Sequence, residues 1–340
     1  MKRRLKLRYG RVLAVLVFVL AAVVIVRHRP ERVPKKELEG ATAVSMSTTE
    51  ACVTAAEMVQ TTAAETTTAV TTTAPFSFDP NAAPYYSAAA VYSVDTGQFL
   101  FRENSGAAMA PASLTKMLTA ATAVKYAGLD TCYTVGSELW LVYEGSSMAY
   151  LTAGDTLTLR DLIAGMLMSS GNDAAYTIAV NVARDQSGRP EMTDCEAVEH
   201  FCALMNQTAA EIGMTASHFT TPDGWDSGGQ YTTAEDIVKL SAHLMNYPDI
   251  MRITGTYQMD VVSVSGEGYS WTNSNHLLDP NFELYRGNVL GMKTGTTLSA
   301  GNCLAAAFTK NGSTYISVVA GCYSDYDRFD LTVQLMDAVE

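Results

Sequence analysis

Basic residues are scarce over most of this 340-residue chain. Beyond residue 36 only 12 Lys and Arg stand against 34 Asp and Glu, a net charge of −22. A body that acidic is not expected to grip nucleic acid, whose affinity comes from neutralising phosphates. Cysteine is sparse as well. The six present (Cys52, Cys132, Cys195, Cys202, Cys303, Cys322) include no C-x-x-C pair, and no histidine stands at zinc-finger spacing. A metal site is therefore not expected, nor is any cofactor. His200, His218, His243 and His276 are scattered, which argues against a Ser-His triad. Residues 41–75 lack glycine and aromatics and hold twelve Thr and nine Ala. Such a stretch cannot bury enough apolar surface to offset its ordering entropy. No internal repeat is visible.

What is present begins with charge of the missing sign. Residues 1–36 hold eleven of the 23 Lys and Arg, opposed only by Glu31. "KRRLKLRYGR" (2–11) precedes fifteen apolar residues, Val12 to Val26, closed by Arg27, His28 and Arg29. This is the positive region followed by an apolar region of a secretory targeting segment. Fifteen residues fall short of the roughly twenty of a full span, although flanking arginines snorkel and extend it. No Ala-x-Ala cleavage site follows closely; Ala41-Thr42-Ala43 lies too far downstream. The expectation is a transmembrane signal-anchor at 12–26, with 1–11 in the cytoplasm by the positive-inside rule and the rest outside the cytoplasm. Cleavage and secretion is the alternative. Residues 27–84 read as a disordered Thr/Ala-rich linker, whose 55 or so residues reach ~180 Å when stretched. The head is expected at 85–340. In an exported chain disulfides can form, and Cys303 with Cys322 is the first pair to test, with buried free thiols as the alternative.

Within the head, "AAAVYSVDTGQFLFREN" (88–104) predicts two strands about a turn at Asp95-Thr96-Gly97. Helical patterning starts after Pro111 and dominates to about 250, most regularly at 156–183. Thr232 and Glu235 stand at capping-box spacing before an apolar run. "GNCLAAAFTKNGSTYISVVAGCYS" (301–324) predicts a hairpin around Asn311-Gly312, and 326–339 a closing helix. Strands at both ends and helices between them predict an α/β fold of the α+β kind. It would be one antiparallel sheet flanked by helices, with a helical subdomain inserted.

The chemistry-bearing residues lie in three short motifs. "APASLTKM" (110–117) holds Ser113 three residues before Lys116, next to Pro111 at a helix start. Residues i and i+3 share a helix face, so hydroxyl and amine are within reach. Free N–H groups at a helix N-terminus stabilise an oxyanion. That combination suits an activated serine nucleophile with lysine as its base. "SSGND" (169–173) holds Ser170 and Asn172, and "GMKTGTT" (291–297) holds Lys293, Thr294 and Gly295. Each motif is weak alone; the ordered set is specific.

With these motifs the chain resembles the penicillin-recognising serine enzymes. Within them it is most similar to the low-molecular-weight D-alanyl-D-alanine carboxypeptidases, over about 88–325. "PASLTK", "TLRDLIAGMLMSSGNDAA", "ASHFTTPDGW", "YTTAEDI", "TNSNHLL" and "GMKTGTTLSAGNCLAA" carry the likeness. The resemblance implies a β-lactamase/DD-peptidase-like fold and a catalytic set of Ser113 as acylated nucleophile, Lys116 as proton acceptor and Ser170 as relay to the leaving amine. It implies substrate binding by Asn172 at the peptide carbonyl and by Lys293 and Thr294 at the terminal carboxylate. Gly295 would let substrate lie along the strand edge, and the N–H groups of Ser113 and Thr296 would form an oxyanion hole. Lys116 would be kept neutral by burial and by the charge of Lys293. The implied partners are peptidoglycan stem peptides ending in D-Ala-D-Ala, with β-lactams as covalent inhibitors.

The chain departs from the family pattern at two positions. Asp223 and Thr296 stand where relatives often carry histidine. A C-terminal β-rich domain is not expected, and the N-terminal segment would supply the anchor. Trp140, Trp225 and Trp271 read as core or loop anchors, with a place for Trp225 at the cleft as the alternative. Asp325, Asp327 and Asp330 read as a solvated edge. Two rival functions are weighed. A class A-like β-lactamase would need a glutamate four residues before an asparagine after Ser-x-Asn, and none lies between Ser170 and Lys293. A non-catalytic β-lactam or peptidoglycan receptor is disfavoured by the intact motifs.

Overall fold

The computed structural model describes residues 75–340. The basic tail at 1–11, the apolar segment at 12–26 and the linker from 27 to 74 lie outside the described residues. Among the described residues no helix is long and apolar enough to cross a membrane.

The predicted strands form one antiparallel sheet. β1 (Ala88–Ser93) and β2 (Gln98–Glu103) come from the start of the head. β3 (Cys132–Thr134) and β4 (Thr156–Thr158) pair as a small separate hairpin, as do β5 (Gln258–Val262) and β6 (Gly268–Thr272). β7 (Val289–Thr297), β8 (Gly301–Lys310) and β9 (Ser313–Cys322) complete the main sheet. Its strand order is β2-β1-β9-β8-β7, which leaves β7 at an edge. Asn311 (φ 52°) and Gly312 (φ 81°) both take positive φ, as a two-residue turn matched to strand twist requires.

Both faces of the sheet are covered, which explains the near-continuous apolar runs of β8 and β9. Cys303, Ala305 and Ala307 of β8 face the inserted helices, while Leu304, Ala306 and Phe308 face the other way. The inserted helices are α1 (Thr115–Tyr126), α2 (Leu159–Met168), α3 (Asn172–Ser187), α4 (Asp194–Ile212), α5 (Ala234–Leu244) and α6 (Pro248–Thr254). The opposite face is covered by α7 (Asp325–Asp337) through Phe329, Leu335 and Met336. α1 is the centre of the inserted layer. Every residue from Thr115 to Ala123 is at most 1% exposed, as expected for a helix of Met, Leu, Ala and Thr that is apolar all round.

Three expectations need correction. The head begins before Tyr85. Phe76 bridges to Val339 and stacks on Phe101 at 5.5 Å, and Phe78 meets the same ring edge-on at 5.1 Å. Two aromatics bury enough apolar surface to order a segment that the Thr/Ala-rich stretch before it cannot. The 156–183 piece is not one helix: β4 comes first, and Ser169-Ser170-Gly171 separates α2 from α3. The cap of α5 is Thr233, whose hydroxyl accepts from Asp236 N–H. Thr232 is drawn into a backbone bridge with Met109, and Glu235 accepts from Ser105 Oγ at 2.7 Å. Of the two readings left open for Cys303 and Cys322, the structure shows buried free thiols. The β8–β9 register shifts between Asn302 and Leu304, setting Cys322 opposite Asn302. The two sulfurs then belong to cores on opposite faces of the sheet. At the C-terminal end the acidic edge has structural work: Ser324 and Asp327 form the capping box of α7, and Asp325 pairs with Arg328.

Candidate active site

Ser113 sits in a short 3-10 turn, Ala112–Leu114, that runs directly into α1. Ala112 has φ +46°, a strained conformation for a residue with a side chain. Two glycines let other backbones close around it. A methyl on Gly224 would stand 1.8 Å from Ala112 O, and one on Gly295 would stand 3.2 Å from Ser113 N. Gly295 is thus required by the approach of β7 to the Ser113 turn, a reason distinct from the expected passage of substrate along the strand.

Lys116, the second residue of α1, is fully buried, and its Nζ lies 2.8 Å from Ser113 Oγ. The same nitrogen donates to the Asp223 carbonyl at 2.8 Å. Burial lowers the amine from 10.5 to about 8, with Asp223 and Asp173 opposing. The expected contribution of Lys293 to this depression is not among its causes. Mutual repulsion bears instead on Lys293, which burial, Lys116 and Arg328 hold well below the ordinary lysine range.

Ser170 occupies the break between α2 and α3 with φ +61° and is 7% exposed. Among the described residues its hydroxyl makes no hydrogen bond within the protein. Asn172 opens α3 and donates Nδ2–H to Asp223 Oδ2 at 2.7 Å. Its second N–H remains for a ligand. Ser113, Asn172, Asp223, Trp225, Thr296 and Thr297 line one small pocket of about 90 Å³. Trp225 therefore borders the cleft, and Tyr143 stacks on it at 5.2 Å and 6°.

On the far side Lys293 Nζ donates to Thr294 O at 3.1 Å and lies 3.4 Å from both Ser274 Oγ and Thr294 Oγ1. Ser274 and Thr294 share a hydrogen bond of 2.6 Å. Ser274, Asp173 and Arg328 escaped the sequence reading. Asp173 accepts from the N–H groups of Ala149, Leu151 and Ala174 at 2.8–2.9 Å, so it fixes the strap at 149–151 to the start of α3. Arg328, from α7, donates to Gly295 O at 3.1 Å and Thr296 Oγ1 at 2.8 Å and braces the end of β7. "TNSNHLL" and the Asp after Ser-Gly-Asn were the available signals for the first two. Nothing near Arg328 in sequence marks it. Among the described residues no group of three His, Cys, Asp or Glu is placed to hold a metal ion.

The family model for D-alanyl-D-alanine carboxypeptidase, peptidase S11, matches residues 80–324. The chain belongs to this family. It is 33% identical over 267 residues to D-alanyl-D-alanine carboxypeptidase DacC of Escherichia coli, covering 75% of this chain and 61% of that protein. It is 28% identical over 253 residues to DacF of Bacillus subtilis, covering 74% and 61%. The chain therefore spans about 61% of the length of these two curated relatives. Among solved structures, the Streptomyces K15 DD-transpeptidase superposes with a TM-score of 0.68 at 26% identity, over 75% of this chain and 98% of that one.

As an S11 member, the chain gives its two departures specific tasks. Asp223 puts its backbone carbonyl on Lys116 and its carboxylate on Asn172 and on the Trp225 N–H, the last at 3.0 Å. Thr296 accepts from Arg328 and donates to Asn302 Oδ1 at 3.1 Å. Neither position offers an imidazole to titrate, so within this pair of S11 positions no histidine sets a pH dependence.

Proposed function

We propose that this protein is a serine-type D-Ala-D-Ala carboxypeptidase that trims peptidoglycan stem peptides through an acyl-enzyme on Ser113. The observation that carries the reading is the buried amine of Lys116 at 2.8 Å from Ser113 Oγ. One N–H of the neutral amine is turned to the Asp223 carbonyl, which leaves its lone pair for the serine proton. Ser113 Oγ bonds to the penultimate D-Ala carbonyl carbon as that proton passes to Lys116. The oxyanion faces the N–H groups of Ser113 and Thr296; the contact of Gly295 with the Ser113 turn supports their convergence. Collapse breaks the C–N bond as Ser170 gives its hydroxyl proton to the departing D-alanine nitrogen and takes up the one held by Lys116, which returns to the neutral amine. Water then attacks the ester and frees both Ser113 and the shortened peptide. Lys293, Thr294 and Ser274 receive the terminal carboxylate, and Asn172 holds the peptide carbonyl.

The test uses purified protein, a labelled penicillin and a diacetyl-L-Lys-D-Ala-D-Ala peptide. Peptide mapping is expected to place the penicilloyl adduct on Ser113, and D-alanine is expected to be released from the peptide. Rapid, sustained penicillin turnover would favour the β-lactamase reading. A stable adduct without D-alanine release would favour the receptor.

The basic and apolar segments at 1–26 support a membrane-anchored, extracytoplasmic enzyme. Full-length protein expressed in bacteria is expected to stay with the membrane pellet through high-salt and alkaline washes and to keep its first residues by mass spectrometry. Release of a shortened protein to the medium would replace the anchor with a cleaved signal.

A further inference from the structure

Asp223 is 1% exposed, and among the described residues its carboxylate is in no salt bridge. We propose that Asp223 is a positioning residue that acts on the Lys116 amine by charge and so sets the pH range in which Ser113 is acylated. The inference rests on the reading of Lys116 as the base and adds a control on it.

Geometry comes first. The Asp223 carbonyl accepts from Lys116 Nζ at 2.8 Å, which ties the amine to this residue. Both oxygens of its side chain are held. Oδ2 accepts from Asn172 Nδ2–H at 2.7 Å, and Oδ1 accepts from the Trp225 N–H at 3.0 Å. The next residue, Gly224, packs hard against Ala112, so the loop is fixed beside the Ser113 turn. Two neutral donors satisfy the carboxylate but do not cancel its charge. A buried charge without a counter-ion acts strongly on its neighbours, because little solvent screens it.

The groups facing the amine come next. Burial pulls Lys116 down, and Asp223, then Asp173, oppose that pull. Asp173, on α3, is engaged by three backbone N–H groups at 2.8–2.9 Å and braces the strap at 149–151. Tyr176 of α3 and Cys202 of α4 also feel Asp223. Burial first and Asp223 second push both up, Cys202 to about 12, so neither carries charge near neutral pH. Lys293, on β7, is held down by burial, Lys116 and Arg328, and Asp223 is not among its causes. Removing the Asp223 charge therefore acts on Lys116 and leaves Lys293 as it was. The charge has two effects on the amine. It favours the protonated form, which keeps the base occupied to higher pH. It also stabilises the positive charge that the amine gains on taking the serine proton.

The experiment follows the rate of penicillin acylation of Ser113 against pH in wild type, D223N and D223H. Asparagine keeps the size and one acceptor. Histidine is the residue that relatives often carry here, and it is neutral above about pH 6.5. The midpoint of the climb is expected to fall by about one pH unit in each variant, the low end for loss of a nearby opposite charge. Each variant should acylate faster than wild type below the wild-type midpoint and reach a lower plateau above it, since a weaker base accepts a proton less readily. A loosened Asn172 would lower every point of a curve and leave its midpoint in place. A midpoint unchanged or raised in either folded variant would overturn the proposal. Loss of a cooperative melt in both variants would overturn it too, leaving Asp223 a structural residue. Absence of penicilloyl-Ser113 in wild type at every pH is a distinct result: it removes the acyl-enzyme reading itself.

Discussion

Substituting methionine for Lys116 should slow acylation of Ser113 by about 10³-fold without lowering thermal stability. The two halves have one cause. Lys116 is fully buried, and burial brings its amine from 10.5 to about 8. In the unfolded chain the proton is held up to the ordinary lysine value. Between pH 8 and 10.5 the unfolded state therefore binds more protons than the folded one, and stability rises with pH across that window. Below pH 8 the cost is fully present, roughly 3 kcal/mol for a shift of this size. Methionine removes it and fills similar volume, though the Asp223 carbonyl loses its donor, which offsets part of the gain. Catalysis has the opposite sign. In the proposed mechanism the neutral amine is the base, so the wild-type acylation rate should climb as pH is raised through about 8. The K116M profile should show no such climb. Timed labelling with penicillin and thermal melts at pH 7 read both effects. Wild-type labelling rates in K116M would remove Lys116 from the proton transfer.

Gly224→Ala is expected to be the most damaging single-methyl change in the head. Gly224 has φ +84°, which disfavours any side chain, and the added Cβ would stand 1.8 Å from Ala112 O, 2.5 Å from Ala112 C and 2.7 Å from Thr115 Oγ1. The contacted atoms are mostly backbone, and that backbone is the Ser113 turn at Ala112–Leu114, pinned between Gly224 and Gly295. Relief requires moving either the turn or the loop that holds Lys116 and Asn172 through Asp223. The expected destabilisation exceeds about 3 kcal/mol, with penicillin acylation lost in whatever protein remains folded. Soluble yield, melting temperature and labelling measure it. Glycine at 228, where a methyl would meet nothing within 4 Å, provides the matched control: Gly228→Ala should melt close to wild type.

The outer strands, the Asn311-Gly312 turn and the three motifs were legible because each is written in adjacent residues. A period of two, a turn dipeptide and an i, i+3 pair need no tertiary information. Asp173, Ser274 and Arg328 were not legible as site residues because their partners lie far along the chain. Arg328 reaches Gly295 and Thr296 from a helix on the opposite face of the sheet, and only the folded chain brings them together. The cap of α5 shows a competing effect. Thr232 and Thr233 are both good caps by composition, and the bridge to Met109 decides between them. Cys303 and Cys322 show the sensitivity of side-chain facing to register: one shift in pairing sends the two sulfurs to opposite cores. The head's start was misplaced for a compositional reason. The Thr/Ala bias of 41–75 carried the reading past Phe76 and Phe78, which anchor on Phe101.

The burial of α1 has a consequence for how the protein fails. Its amides from Leu118 to Ala123 are sealed on every side, so they exchange with solvent only when the whole head opens. The Lys116 amine is fixed to that same helix. Heating then has no local route through fraying at Lys116, and loss of the proposed activity follows cooperative collapse of the head as a unit.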